Sequence, residues 1–73
     1  MTVKQLLSVT NSWEFVSVED DDYNVFAEGE AQHVAKSDAI KGLNVVCFYT
    51  GNRNNVYCPV IIAERKSKKA RRI

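Results

Sequence analysis

No apolar run in these 73 residues approaches the roughly 20 that a membrane-spanning helix needs. The opening MTVKQLLSVT is too poor in apolar residues for a secretory signal, and Asn11-Ser12-Trp13-Glu14 follows where a cleavage region would stand. A cytoplasmic chain with reduced thiols is therefore expected. A glycine-rich phosphate loop, a G-x-S-x-G elbow and a paired-histidine motif are all missing. His33 is the one histidine, with Glu30 a helical turn before it and no catalytic partner in pattern. These absences predict a non-enzymatic protein with no catalytic residue and no cofactor.

The chain is one domain near the size at which a single core barely suffices, so association of two copies would add useful buried area. With 45% hydrophobic and 26% charged residues, its composition is that of an ordinary soluble globular protein. Charge is divided unevenly along it. Residues 1–64 carry four cationic against nine acidic side chains, a net −5, whereas the last nine residues carry six cations and no acid. The expected plan is a domain over 1–64 and a basic, disordered tail over 65–73.

Thr2-Val3-Lys4-Gln5 matches a capping box and predicts a short helix from Val3 to Val9. Trp13–Val18 and Tyr23–Glu28 alternate as strands around Glu19-Asp20-Asp21-Asp22, four acidic residues that suit a turn facing water. A turn centred on Asp20-Asp21 sets Phe15 opposite Phe26 and Val16 opposite Val25. Gly29 ends that hairpin, and Glu30–Lys36 reads as a second helix. Ser37-Asp38 then caps a further turn that Gly42 stops.

Leu43 to Ala63 is the stretch around which the remainder is organised. Its β-branched and aromatic residues predict two strands, Val45–Thr50 and Asn55–Ile62, joined through Gly51-Asn52-Arg53-Asn54. A turn centred on Asn52-Arg53 places Cys47 directly opposite Cys58, and Tyr49 opposite Val56. Two packed thiols are the expectation there, with a strained cross-strand disulfide or half a metal site as the alternatives. The ten-residue gap between the cysteines lacks the short spacing of zinc ligands, and His33 is the single further soft ligand, so no metal is expected. Pro59 lacks an N–H, which predicts an edge strand or a bulge at that point. The fold class is then α+β, helix–hairpin–helix–hairpin (αββαββ), with an antiparallel sheet and the helices packed on one face.

Two charged stretches are the candidate sites. The tail offers Arg65, Lys66, Lys68, Lys69, Arg71 and Arg72 to a nucleic-acid backbone, a contact giving affinity without sequence selectivity. Base stacking would then fall to Tyr49, Tyr57 or Phe48 on an exposed sheet face. Glu19, Asp20, Asp21 and Asp22 offer a protein-interaction surface, although a plainly solvated turn and tail are the bland alternatives. The opening MTVKQLLSV, then strand, acidic turn, strand, short helix and second hairpin, resembles small uncharacterised proteins of phages and mobile elements of Gram-positive bacteria. That resemblance spans most of residues 1–63 and implies a non-enzymatic accessory role, with no family active site to carry over; the basic tail lies outside it. The leading expectation is a mobile-element accessory protein touching nucleic acid through its tail. The competing one is a protein–protein module, either a homodimer or an inhibitor of a host defence system of the anti-CRISPR kind. That module would act through its acidic turn or an exposed sheet face, with no membrane partner in either case.

Overall fold

The computed structural model describes residues 1–53 and 55–65. It is a small α+β structure with a mixed four-stranded sheet and few, short helices. In chain order these are α1 (Val3–Ser8), β1 (Phe15–Glu19), β2 (Val25–Glu30), α2 (Ala31–Val34), a 3₁₀ turn (Asp38–Ile40), β3 (Leu43–Arg53) and β4 (Val56–Arg65). Across the sheet the order is β2-β1-β4-β3.

Local chemistry accounts for the helix ends. The Gln5 amide donates to the Thr2 hydroxyl at 3.1 Å and the Thr2 amide to the Gln5 side chain at 2.9 Å, closing the expected capping box. Ser37 caps the 3₁₀ turn by accepting from the Ala39 amide at 3.1 Å. α2 has no side-chain cap; its first amides, Ala31 and Gln32, donate to the carbonyls of Glu14 and Ser12 at 2.8 and 2.9 Å. Segment 12–14 is thereby diverted from the sheet, so the strand expected from Trp13 begins at Phe15 and Trp13 lies exposed.

One buried cluster joins Val3 and Leu7 of α1, Ala31 and Val34 of α2, and Ile40 to Val16, Val18, Leu43, Ile61 and Ala63 of the sheet. Each of the Val, Leu and Ile side chains among them contributes about 1.5–3 kcal/mol by leaving water. The opposite sheet face holds a second, smaller cluster of Cys58, Val60 and Ile62 with Phe15 against it.

Three register expectations are corrected. The sheet is mixed, not antiparallel, because β1 runs parallel to β4, pairing Ser17 with Val60, Val18 with Ile61 and Glu19 with Ile62. In the first hairpin Phe15 pairs with Glu30 and Val16 with Gly29. The loop there runs through Asn24, because the Asp20 carboxylate accepts from the Asp22 and Asn24 amides at 2.7 and 2.9 Å, with Tyr23 at φ +66°. In the second hairpin Arg53 pairs with Val56, which makes Gly51 and Asn52 strand residues and leaves two residues between the strands. Asn55 supplies the left-handed backbone that such a tight turn requires, at φ +65°. Cys47 therefore opposes Ile62 and Cys58 opposes Gly51. Four strand positions separate the two cysteines, about 13 Å at 3.3 Å per residue, too far for a disulfide.

Pro59 also departs from expectation, since β4 is an interior strand. Pairing with β1 begins only at Val60, so Pro59 sits where β3 alone flanks β4.

Candidate functional site

Glu19 is the residue whose placement differs most from the sequence reading. It ends β1 and is 1% exposed, so it is no part of the water-facing acidic surface. Burial of a carboxylate demands compensation, and Arg53 supplies it through two parallel hydrogen bonds. Its Nε donates to Oε2 at 2.7 Å and its Nη2 to Oε1 at 2.8 Å. Ser17 Oγ donates to Oε2 at 2.6 Å, and Arg53 Nη2 also donates to the Tyr49 hydroxyl at 3.3 Å. Arg53, above all, holds the Glu19 carboxyl below its ordinary range despite the opposing effect of burial, with Ser17 assisting. The same hydrogen bond raises the Arg53 guanidinium further still. Among the described residues no buried side-chain polar atom lacks a partner.

This contact shapes the long hairpin. Glu19 lies level with Ile62 and Arg53 level with Val56, six positions apart along β4. In a flat sheet that would be about 20 Å, more than the two side chains can span. The β3–β4 hairpin must therefore twist and coil until Arg53 reaches β1, covering Cys58 and Val60 on the way. Gly51 leaves little spare room on this path: a Cβ there would lie 3.0 Å from Val60 Cγ2 and 3.2 Å from Arg53 Nη1, so those side chains would have to give by a few tenths of an ångström. Burial pushes the Cys58 thiol up, which makes it an unreactive packed group.

The other face of the hairpin runs out beyond the helices. Phe48 pairs with Ile61 and Asn52 with Tyr57, so Phe48, Thr50, Asn52, Tyr57 and Pro59 share the face on which the helices pack farther along. Phe48 is 61% exposed and Tyr57 75% exposed. Arg53 is the one charged residue between Leu43 and Ala63, and it is already engaged by Glu19. The result is an uncharged projecting surface with two aromatic rings in water.

The charged candidates are separated from that surface. Asp20, Asp21 and Asp22 lie in the β1–β2 loop, each with a carboxylate oxygen within 4.8 Å of the others. Asp20 is committed to the loop itself, as its Oδ2 also accepts from Asn24 Nδ2 at 3.2 Å. These three form the only group among the described residues close enough to share an ion, so Cys47, Cys58 and His33 do not converge. His33 Nδ1 stands 3.9 Å from Glu30 Oε1 at the surface. Arg65 ends β4, donates to the Lys41 carbonyl at 3.3 Å and lies over the Phe26 ring at 5.7 Å. With Asp20, Asp21 and Asp22, Arg65 and Phe26 line an open groove of about 560 Å³. Lys66, Lys68, Lys69, Arg71 and Arg72, and with them the expected disordered tail, lie outside the described residues. No helix among the described residues is long and apolar enough to cross a membrane.

Of the sequence-derived candidates, the structure brings Asp20, Asp21, Asp22 and Arg65 to one groove and removes Glu19 to the opposite sheet face. The Glu19–Arg53 pair and the projecting Phe48–Tyr57 surface were not foreseen as such. A signal for the first existed: one acidic residue stood next to a strand-forming run, and one cation stood alone in an uncharged stretch. The fold and site thus define a small α+β protein with a clasped, projecting hairpin. Compared with known proteins, the chain matches no family model, no curated protein and no solved structure.

Proposed function

We propose that this is a non-catalytic binding protein that engages another protein through the outer face of its β3–β4 hairpin. The exposure of Phe48 and Tyr57 on the outer part of that face, past where the helices pack, carries the reading. The αββαββ plan, with its helices on one face, serves as the scaffold that holds the hairpin out. Buried interface centres are depleted in charge and enriched in Tyr and Phe, which fits this surface. Nucleic acid fits it poorly, because phosphate contact needs cations and the one cation here is spent on Glu19. An accessory role in a phage or mobile element, as host-protein inhibitor or adaptor, agrees with this chemistry.

The test is a pull-down from the native host with the full chain, the Phe48→Ser/Tyr57→Ser double variant, and an Asp21→Lys/Asp22→Lys variant. Capture should be lost in the first variant and retained in the second. The reverse pattern would move the contact to the acidic loop and reject the hairpin.

A second reading concerns the tail. Six of the ten Lys and Arg residues stand in the last nine positions, enough to displace counterions from a nucleic-acid backbone. It predicts DNA or RNA binding that weakens steeply with salt. Deletion of residues 66–73, which spares Arg65 in the sheet, should abolish that binding; undiminished affinity would dismiss the tail.

A further inference from the structure

The strand order leaves two sheet edges, β2 and β3, and they are protected very differently. β2 is six residues long, irregularly paired, and carries Glu28 and Glu30, features that discourage a further strand. β3 is eleven residues long and carries no Pro, Lys, Asp or Glu. Its first part is covered by the chain's own start: Thr2 bridges Asn44 antiparallel, and the Val45 amide donates to the Met1 carbonyl at 2.9 Å. That cover stops at the irregularity between Val45 and Cys47. From Cys47 to Arg53, β3 has no neighbouring strand on its outer side among the described residues.

We infer that this open edge, Cys47 to Arg53, pairs antiparallel with the same edge of a second copy of the chain. What an unpaired edge accepts is another strand, and the Met1–Thr2 segment already shows the antiparallel direction there. A closed twofold pair of identical edges must likewise run antiparallel. Full overlap of the open segment centres on Thr50. Thr50 of one copy then faces Thr50 of the other, Tyr49 faces Gly51, Phe48 faces Asn52 and Cys47 faces Arg53. No like charges meet. The acidic bodies also end up at opposite ends of the joint ladder, because the two Leu43 residues stand fourteen positions from one another along it. Phe48 and Thr50 belong both to the outer face and to the open edge, so the readouts separate the two contacts: sedimentation reports edge pairing, and capture of another protein reports the Phe48–Tyr57 face.

Sedimentation velocity of the full chain over a wide concentration range should show a species of twice the chain mass. Thr50 is exposed, so Thr50→Lys and Thr50→Glu should each fold, checked by circular dichroism, yet place like charges opposite one another and sediment as monomers. Mixing the two variants should restore the dimer in equal proportion. A wild-type chain that stays monomeric, including one that instead takes up an uncharged strand peptide, overturns the inference. So do variants that still dimerise alone, or a mixture that remains monomeric.

Discussion

The two hairpins of this protein are built from similar residues but held by different means. β1 and β2 lie against the helices, and Val16 and Val18 are wholly buried in the main cluster. Their loop needs little more than Asp20 to hold its shape. β3 and β4 are about twice as long and leave the helices behind halfway, so on the helix side their outer half has no layer to pack on, while Cys58 and Val60 are buried with Phe15 on the other side. There the sheet coils on itself and a single buried ion pair fastens it to β1. Packing against the helices holds a hairpin only as far as that layer extends; beyond it a polar clasp joins the smaller Cys58–Val60–Ile62 cluster, and the opposite face is left free.

The sharpest way to break that contrast is to compare a substitution in the helix-packed part of β4 with one in the clasp that fastens the hairpin to β1. Ile61→Ala removes a side chain buried against the helices and should cost about 2–5 kcal/mol in chemical denaturation. Glu19→Ala strands Arg53 and should cost about 2 kcal/mol, less than Ile61 because its partner is partly exposed to water. Its signature is local: hydrogen exchange should quicken over 47–60, and Cys58 should become open to thiol labelling, while α1 and β2 stay protected. Equal loosening of both hairpins would mean that the clasp supports the whole fold.

Acid should act through the same pair. Because Arg53 lowers the Glu19 carboxyl below its ordinary value of 4.5, the stabilisation is fully present above that value and is lost as pH falls through the folded-state pKa. The wild-type thermal midpoint should therefore drop below about pH 4.5 more steeply than that of Glu19→Gln, which has no carboxyl to protonate. Parallel acid profiles would show that other carboxylates govern the transition.

The caps and most of the strands were legible in the sequence, because each depends on neighbours within a turn or on simple alternation. What escaped depends on contacts made across the chain. Arg53 and Glu19 stand 34 positions apart, and β3 runs on to Arg53, with the turn past Asn52-Arg53 and Cys47 separated from Cys58. The parallel pairing of β1 with β4 is equally remote in sequence, so an antiparallel sheet was the natural reading. Glu19 itself looked like one of four acidic neighbours. Only the requirement that a strand-terminal carboxylate near apolar residues find a cation could have singled it out.

The smallest effects test whether the two exposed features are structural at all. Asp20→Ala removes the acceptor for the Asp22 and Asn24 amides and should cost about 1 kcal/mol, as loss of a comparable helix cap does. Asp21→Ala should change stability by no more than about 0.5 kcal/mol, the usual range for a surface position. Tyr57→Ser should be equally silent in denaturation, since three-quarters of the ring already faces water. A surface aromatic that contributes nothing to folding is free to make a contact outside the chain. If Tyr57→Ser instead destabilised the protein by as much as Glu19→Ala, the ring would belong to the hairpin's own packing, and the contact surface would have to be sought elsewhere.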